Sequence, residues 1–380
     1  MKTVRLYDED AYLAEFSATV LSCEEKSGKF SVCLDKTAFF PTAGGQEGDT
    51  GSIGNAKVSE TLIENGIIYH ICEAPLEIGK EYPCFLNFKE RFDKMQNHSG
   101  EHIISGIVHS LFGYDNTGFH LSNNIVTLDF NGMLTQKEIK EIEIKANEAV
   151  QKNAKITAYY PDDTTLKSLN YRSKLDLSED VRIVEIEGID LCACCAPHVK
   201  STGEIGFIKI CSAEKHKEGV RLSIKCGMRA VLDYMQKADS VSEISALLCA
   251  KPEEVADAVK SLKQNLADTS FSLTRAKREN LKLTLSVTDS PCIFLQNATA
   301  EDMRFAGNLI KEKQNIGGVF SKSGEKYSFV CVTNGDTEAL RNALCASLSA
   351  SCGGRNGMIT GSTPAERNEI EKFFKENLDI

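Results

Sequence analysis

The sequence has no apolar run of about 18 residues or more, the length from which a membrane-spanning helix is predicted. It also lacks the hydrophobic core of a signal peptide, because the opening segment Met1-Lys-Thr-Val-Arg-Leu-Tyr-Asp-Glu-Asp turns acidic. The first absence excludes a membrane-spanning helix, and the second argues against secretion. We therefore expect a cytoplasmic protein.

Positive charge is not in excess. The chain has 44 lysines and arginines against 54 aspartates and glutamates, which gives a net charge of −10. Residues 286–380 hold 10 basic and 12 acidic side chains, so no basic tail is hidden by the average. No overall positive field would draw nucleic acid from a distance. An RNA partner would have to be held by local patches, and composition alone favours a small-molecule partner.

The composition is otherwise that of a globular protein of several domains. Hydrophobic residues make up 42% and charged residues 26% of the 380 positions, which argues against disorder and against a fibrous repeat. A chain of this length exceeds the usual limit of a single core, so two or three domains are expected. The fourteen cysteines are spread along it with one tight cluster, and most are expected to be reduced core thiols.

The spacing of apolar residues predicts a multidomain α+β fold. Short alternating runs from Val4 to about Asn87, separated by turn residues, predict a small β-barrel. Helices and strands then alternate. One helix is expected to end near Phe112-Gly113, and Thr135-Gln-Lys-Glu resembles a capping box at the start of another.

A long helix is predicted in the second half of the chain. Pro252 suits its first turn, and the apolar residues that follow have a heptad-like spacing: Val255, Val259, Leu262, Leu266 and Leu273. About 30 residues give a rod of roughly 45 Å, which suits a spacer or a dimer seam. We predict a β-barrel domain at 1–88, an α+β domain at 89–236, a helical spacer at 237–286 and an α/β domain at 287–380.

Two short motifs could bind a metal. His98 and His102 lie one turn apart on one face of a predicted helix, a spacing that also arises by chance. Cys194-Cys-Ala-Pro-His198 provides a thiolate and an imidazole at the same interval. Together, three nitrogens and one sulfur would satisfy tetrahedral zinc. Such a site is either a closed structural staple or a catalytic site that leaves one position for water or substrate.

The order of several motifs resembles the freestanding alanyl-tRNA editing proteins of the AlaX type, in their long form, and the editing half of alanyl-tRNA synthetases. The motifs are Leu6-Tyr-Asp-Glu-Asp-Ala-Tyr-Leu, Phe39-Phe-Pro with Gly44-Gly-Gln-Glu-Gly-Asp-Thr-Gly, His98-Ser-Gly-Glu-His, Pro197-His-Val-Lys-Ser-Thr-Gly-Glu-Ile-Gly and Gly353-Gly-Arg. The usual triple glycine of the family is Ala43-Gly44-Gly45 here, and Ala196 and Pro197 replace its glycine and threonine. Neither departure removes a ligand.

The resemblance implies one zinc ion per chain, with the ligands His98, His102, Cys194 and His198. Cys192 remains a rival for the sulfur position, because alternate residues of a strand share a face. The implied reaction is hydrolysis of the ester between alanine tRNA and a wrong amino acid, serine or possibly glycine. The zinc could activate water or orient the substrate.

The resemblance also implies substrate and RNA contacts. Thr37 and the loop Gly44-Gly45-Gln46 would recognise the serine hydroxyl. Arg355 and Arg278 are candidates for tRNA contact. Arg355 is the better one, because a run of charges such as that near Arg278 is more often the solvated face of a long helix. The last hundred residues or so resemble the DHH-associated domain, which implies tRNA contact or a homodimer.

Three readings remain open. The leading one is a zinc-dependent hydrolase that deacylates mischarged alanine tRNA. The second is a non-catalytic RNA-binding protein with a structural zinc, and the third is a small-molecule metallohydrolase. Glu101, between the two helical histidines, is expected to point off their shared face, into solvent or behind a ligand, and is an unlikely general base.

Overall fold

The computed structural model describes residues 2–122, 125–173 and 181–377. The chain divides into two compact units, Met1–Val241 and Ser242–Ile380. The four domain boundaries expected from the sequence are finer than this division and stay predictions.

The first unit mixes fifteen strands with helices over its described residues. The strands are β1 Val4–Arg5, β2 Glu15–Lys26, β3 Lys29–Leu34, β4 Lys36–Thr37, β5 Gly51–Ile53, β6 Ala56–Glu64, β7 Ile67–Cys72, β8 Glu81–Leu86, β9 Asn116–Leu121, β10 Val126–Phe130, β11 Ile156–Tyr159, β12 Ile183–Ile186, β13 Asp190–Ala193, β14 Ile208–His216 and β15 Gly219–Cys226. The helices are α1 Leu6–Glu9, α2 Phe88–Phe112, α3 Gln136–Lys152 and α4 Asp163–Ser168, with a 3₁₀ turn at Thr202–Ile205. A fifth helix, α5 Met228–Leu248, begins in the first unit and ends in the second.

Six of these strands form a closed barrel in the order β2-β3-β7-β6-β5-β8. All its strand pairs are antiparallel, and the alternation of apolar residues places Val32, Leu34 and Val58 in the barrel core. The run Lys29-Phe-Ser-Val-Cys-Leu34, one of the short alternating runs expected before Asn87, forms strand β3. The barrel carries the glycine-rich loop between β4 and β5.

Helix α2 leaves the barrel and is buried along most of its length. It ends at Phe112, as predicted, because Gly113 adopts a left-handed conformation with φ 69° that stops the helix. It packs in one core with Ile142 of α3 and with the strands of two further sheets. The orders of those sheets are β14-β15-β10-β9 and β11-β12-β13. The capping box predicted at Thr135 and Glu138 is confirmed at the start of α3.

The second unit contains a long helix and a layered α/β part. Its elements are α6 Val255–Ser286, β16 Cys292–Leu295, α7 Ala300–Lys313, β17 Ile316–Ser323, β18 Lys326–Thr333, α8 Thr337–Leu348, β19 Ser351–Arg355, β20 Met358–Thr363 and α9 Arg367–Glu376, with a 3₁₀ turn at Pro252–Glu254 ahead of α6. The predicted helix of about 30 residues is therefore confirmed at 32 residues.

One five-stranded sheet organises this unit, in the order β16-β17-β18-β20-β19. Strands β16 and β17 are parallel, and the other neighbours are antiparallel. Alternate side chains of β17 and β18 point to opposite faces of the sheet and pack into two different hydrophobic cores. Val319 and Val330 pack with Met303 of α7 on one face, whereas Phe320 and Phe329 pack into the core on the other face. None of the described helices has the length and apolarity that a membrane span needs.

Candidate metal centre

Four potential metal ligands that are far apart in the sequence lie together in the first unit. His98 and His102 are one turn apart on α2, Cys194 directly follows β13, and His198 lies four residues later. Their ligand atoms all lie within 4.8 Å of one another. Cys194 Sγ is 3.5 Å from His98 Nε2 and 3.4 Å from His198 Nε2. The fold thus brings together both pairs that the sequence motifs singled out.

These distances fit a tetrahedral ion. Zinc binds imidazole nitrogen at about 2.0–2.1 Å and thiolate sulfur at about 2.3 Å, so its neighbouring nitrogen and sulfur ligands lie roughly 3.6 Å apart. A set of three imidazoles and one thiolate also suits zinc by donor type. The arrangement could therefore hold one metal ion.

Each histidine is oriented by a hydrogen bond at Nδ1, the ring nitrogen that faces away from the other proposed ligands. The three bonds are His98 Nδ1 to Gln46 Oε1 at 2.8 Å, His102 Nδ1 to Asp190 Oδ2 at 2.9 Å and His198 Nδ1 to Ser99 Oγ at 2.9 Å. Amide and carboxylate oxygens only accept hydrogen bonds, which assigns the proton of His98 and His102 to Nδ1. The Nε2 atoms are then the available metal ligands, an arrangement typical of histidine metal sites.

Burial and hydrogen bonding set the protonation of the groups in the cluster. Burial, and then the nearby His102 and His98, lower the pKa of His198, so its imidazole is neutral as a metal ligand requires. Burial raises the pKa of the Cys194 thiol. Burial alone would also raise the pKa of Asp190, but hydrogen bonds from His102 and Arg172 outweigh it and hold that pKa below its usual range.

A tight turn delivers Gln46 to the cluster. The backbone N–H of Gln46 donates to the Ala43 carbonyl at 3.0 Å, and that of Ala43 donates back at 3.1 Å. Between them Gly44 and Gly45 have φ of 58° and 82°, which glycine adopts without strain. A Cβ atom on Gly45 would lie 2.3 Å from the Phe119 carbonyl oxygen. The glycine pair is therefore required both by the turn and by the close approach of β9.

One face of α2 holds the loop that follows this turn. Arg91 Nε donates to Asp49 Oδ2 at 2.9 Å, and Lys94 Nζ donates to the Gly48 carbonyl at 2.6 Å. Arg91, Lys94 and His98 follow at intervals of three and four, so they share a helix face. Arg91, Lys94 and Asp49 are all buried. The helix that carries the histidines thus also fixes the loop that orients His98.

Asp190 reaches His102 because α2 has a glycine one turn later. A Cβ atom on Gly106 would lie 2.6 Å from the Ile189 carbonyl and 2.9 Å from Asp190 Cβ, so only glycine lets this segment approach the helix. Arg172 donates two hydrogen bonds of 2.7 Å to the Asp190 carboxylate, one from Nε and one from an Nη atom. Such a bidentate ion pair fixes the carboxylate in position. The chain of contacts runs from Arg172 through Asp190 to His102.

Comparison with known proteins agrees with these motifs. Residues 181–222, which contain Cys194 and His198, match the family described as the threonyl and alanyl tRNA synthetase second additional domain. The alanyl-tRNA editing protein AlaX-L of Pyrococcus horikoshii is 28% identical over 98% of this chain and 98% of that protein. The alanyl-tRNA editing protein Aarsd1 of Mus musculus is 30% identical over 68% of this chain and 67% of that protein. The chain belongs to the alanyl-tRNA editing protein family.

The family resemblance inferred from the motifs is thereby confirmed. An alanine–tRNA ligase of Ignicoccus hospitalis is 29% identical over 73% of this chain, which covers 32% of the ligase. The C-Ala domain of alanyl-tRNA synthetase from Aquifex aeolicus aligns with 23% of this chain and 89% of that domain, at 20% identity and a TM-score of 0.21. Membership rests on the editing proteins and not on these two.

Cys192 and Glu101 are sequence neighbours of the proposed ligands, and the structure places them differently with respect to the cluster. Cys192, the rival sulfur, groups with His102 and Asp190 and not with the other two histidines, so the geometry favours Cys194. Glu101 is 1% exposed, and the expectation that it might face solvent is wrong. Its Oε1 accepts hydrogen bonds from Ser105 and Asn116, and its Oε2 lies 3.6 Å from His102 Nε2. Its Oε2 therefore faces the proposed metal-binding nitrogen of His102, whereas the expectation placed this side chain off the shared face of the histidines, in solvent or behind a ligand.

Thr37 lies inside the barrel, hydrogen-bonded to a buried histidine. Its Oγ1 is 2.8 Å from His70 Nε2 and accepts from the Phe39 N–H at 3.1 Å. His70 Nδ1 donates to the Val32 carbonyl at 3.1 Å, so its Nε2 accepts from the threonine hydroxyl. Thr37 is thus fixed by the barrel, and its part in reading an editing substrate stays a prediction.

The two candidate RNA-binding arginines lie in different settings in the second unit. Arg278 on α6 donates to Glu301 at 2.5 Å and stacks on the Phe305 ring at 5.2 Å. Its charge is therefore already compensated. Arg355, at the end of β19, is exposed. Of the two, Arg355 is better placed to contact a phosphate.

Several residues that shape the centre escaped the sequence analysis. Asp190 and Arg172 belong to no local pattern, and Ser99 lies within the His98-Ser-Gly-Glu-His motif without a signal of its own. Each meets its histidine or carboxylate only through tertiary contact. Arg91 and Lys94 had a detectable signal: they precede His98 on the same helical face.

Proposed function

We propose that the chain is a zinc-dependent trans-editing hydrolase that deacylates mischarged alanine tRNA. The substrates would be seryl-tRNA(Ala) and possibly glycyl-tRNA(Ala), with one zinc ion per chain as the cofactor. Relatives at 28% and 30% identity are named alanyl-tRNA editing proteins, and this naming supports the reaction class. The observation that carries the proposal is the convergence of His98, His102, Cys194 and His198 within 4.8 Å.

The residues of the centre have separable tasks. His98, His102, Cys194 and His198 would hold the ion, and Gln46, Asp190 and Ser99 orient the imidazoles. Bound zinc would supply Lewis-acid chemistry at the ester or lower the pKa of a water toward ~7. The remaining work of an editing site is to place the ester, which is already activated.

The side-chain amide nitrogen of Gln46 supports a contact with that ester. Its Oε1 is used by His98, whereas its buried Nε2 has no hydrogen-bond partner among the described residues. An unpaired buried N–H group costs free energy unless a ligand accepts from it. We propose that Gln46 Nε2 donates to the aminoacyl ester, with the Gly44-Gly45 turn leaving room for it.

Serine is distinguished from alanine by one hydroxyl. A site that pairs with a substrate hydroxyl rejects the analogue that lacks it, because its own polar group is then left unpaired. We propose that Thr37 contributes this recognition: its hydroxyl donates to His70 Nε2 and accepts from the Phe39 N–H, which leaves one lone pair of Oγ1 for the serine hydroxyl. Thr37→Val should reduce the serine-over-alanine ratio of kcat/KM, whereas unchanged selectivity would exclude this role.

The second unit would supply RNA contacts or self-association. We propose that Arg355 contacts tRNA phosphates and that Arg278, already paired, contributes less. Apolar side chains exposed along α6, among them Leu262, Leu266 and Leu273, support a homodimer seam. A cytoplasmic location remains the expectation from the sequence.

The decisive experiment measures metal content and deacylation together. Purified wild-type protein is assayed on seryl-, glycyl- and alanyl-tRNA(Ala), with and without a chelator, beside His102→Ala and His109→Ala. His109 lies on the same helix but is half exposed and pairs with Asp115, which makes it the matched control. We expect zinc and seryl-ester hydrolysis in wild type and His109→Ala, and loss of both in His102→Ala.

The rival readings give different results in the same assay. Full zinc occupancy with no hydrolysis of any ester would favour a structural zinc in an RNA-binding protein. Turnover of a free aminoacyl ester at a rate independent of tRNA would favour a small-molecule hydrolase. Hydrolysis that survives complete metal removal would overturn the role of zinc.

A further inference from the structure

Two cysteines of the second unit lie in sulfur contact, far in sequence from the metal ligands. Cys345 is on α8 and Cys352 is on β19, and their Sγ atoms are 3.7 Å apart. The connection is short, because α8 ends at Leu348 and β19 begins at Ser351. Ser349 takes the left-handed conformation, with φ 47°, that turns the chain back. The turn folds the last part of the helix over the first part of the strand.

We propose that Cys345 and Cys352 form a reversible disulfide and are a modification site for low-molecular-weight disulfides such as glutathione disulfide. A disulfide bond is about 2.05 Å long, so the two sulfurs need to approach by about 1.7 Å. That displacement is within reach of side-chain rotation, and neither end needs to cross a packed element. The two residues lie on either side of one short turn, so closure does not require the sheet to move.

The two thiols differ in exposure, and this difference determines which of them reacts first with a small disulfide. Cys345 is exposed, whereas Cys352 is half-buried at the edge of the core that contains Leu344 and Phe374. Burial, and then the hydrogen bond with Cys345, raise the pKa of Cys352 to about 11, although Arg341 opposes the rise. The exposed thiol therefore reacts first, and the half-buried thiol resolves the product.

The exchange balances without a further reagent. The Cys345 thiolate attacks one sulfur of glutathione disulfide, forms a mixed disulfide and releases one glutathione thiolate. The Cys352 thiolate then attacks Cys345 Sγ and expels the second glutathione thiolate. Two protein thiols are oxidised, one glutathione disulfide is reduced to two glutathione thiols, and the two thiol protons end on glutathione.

The Cys345–Cys352 disulfide would attach the edge strand β19 covalently to helix α8. Strand β19 lies at the end of the order β16-β17-β18-β20-β19, so it has only β20 as a neighbour among the described strands. A bond from Cys352 to α8 gives it a second attachment. We expect slower amide exchange across Ser351–Arg355 in the oxidised protein than in the reduced protein.

The test uses the full chain in glutathione buffers, quenched, alkylated and digested with trypsin. Cleavage after Arg341 and Arg355 places both cysteines in one peptide, residues 342–355, with no other cysteine. We expect this peptide to lose two hydrogen atoms and both alkylation sites under oxidising conditions, and to regain both with reductant. Cys249, an exposed thiol whose Sγ contacts the Ala246 carbonyl, is the internal control and should not join an intramolecular disulfide.

Two variants keep the inference testable. In Cys352→Ser, Cys345 should accumulate as the glutathione mixed disulfide, because the resolving thiol is missing. In Cys345→Ser, Cys352 should stay reduced. The inference is overturned if the wild-type peptide keeps both thiols in excess glutathione disulfide, or if Cys345 carries glutathione while Cys352 remains open to alkylation.

Discussion

At the scale of single residues, the candidate centre depends on what lies behind the ligands. An amide, a carboxylate and a hydroxyl hold the outer nitrogens of His98, His102 and His198, and only the carboxylate is itself held by a guanidinium. Partners of this kind fix the ring and raise its basicity toward a metal. The support behind His102 is therefore the most constrained of the three.

Replacing Arg172 should weaken metal binding. Arg172→Met removes both bonds to Asp190, which then no longer holds His102 in one orientation. Losses of roughly 10-fold to 100-fold in metal affinity are typical of such partners. Competition with a chromogenic zinc chelator measures the affinity directly.

The matched control for this variant is Arg221→Met. Arg221 makes the same bidentate ion pair with Asp129, with Nε–Oδ1 and Nη2–Oδ2 distances of 2.6 Å and 2.8 Å, but this pair lies on the neighbouring strands β10 and β15. Its loss should leave zinc affinity unchanged. Equal effects of the two variants would mean that a general loss of stability, and not the orientation of His102, is responsible.

At the scale of elements, the glycine turn and α2 act as one support for Gln46. Gly45→Ala should therefore damage the site as well as the fold. The substituted Cβ would meet the Phe119 carbonyl oxygen at 2.3 Å, in addition to the strain of about 1–2 kcal/mol for a left-handed residue. We expect reduced zinc affinity together with a lower urea midpoint.

Gly28→Ala separates the backbone strain of a left-handed residue from the clash of the new Cβ atom with β9. Gly28 has φ 78°, close to the 82° of Gly45, but a Cβ atom there has nothing within 4 Å. It should show the backbone strain alone, with zinc affinity unaltered. If Gly45→Ala costs no more stability than Gly28→Ala and leaves zinc affinity unaltered, the close approach of β9 is not what requires glycine.

The barrel contains an acid-sensitive element at His70. Burial lowers its pKa from 6.5 to about 4, whereas the unfolded chain keeps the ordinary value. Between these values the unfolded state binds more protons, so stability is complete above about pH 6.5 and decreases as the pH falls. The decrease from about pH 7 to about pH 5 should be about 2 kcal/mol.

A pair of histidine variants tests this acid dependence. His70→Asn should flatten the change of urea midpoint with pH, although it lowers the midpoint at neutral pH by disturbing the bond with Thr37. His120→Asn, at an exposed position, should leave the slope as in wild type. A slope unchanged in His70→Asn would show that other groups carry the acid sensitivity.

At the scale of the whole molecule, the two units should respond differently to metal removal. All four proposed ligands lie in Met1–Val241. A ligand that binds only the folded state stabilises it by about 4 kcal/mol at a thousandfold excess over Kd. Chelation should therefore lower the Tm of one calorimetric transition and leave that of Ser242–Ile380 in place. Equal shifts of both transitions would contradict this assignment.

The elements that sequence patterns predicted well are those determined by local chemistry. Strand β3, the capping box at Thr135, the end of α2 at Gly113 and the long helix α6 follow from alternation, side-chain capping and spacing within a few residues. The apolar residues of Ile205-Gly-Phe-Ile-Lys-Ile210 by themselves favour a strand, but a 3₁₀ turn occupies Thr202–Ile205 and β14 begins only at Ile208. There the capping of Ser201 by Glu204 outweighs strand alternation.

The sequence by itself determined the family, the two ligand pairs and the donor chemistry, because each is written in a few neighbouring residues. Only the tertiary structure brings the two pairs together, groups Cys194 and not Cys192 with all three histidines, and lets Asp190 reach His102. These outcomes depend on close approaches at Gly45 and Gly106 between segments far apart in the chain. Local spacing carries no information on such distances, because they are set when separate elements pack into one core.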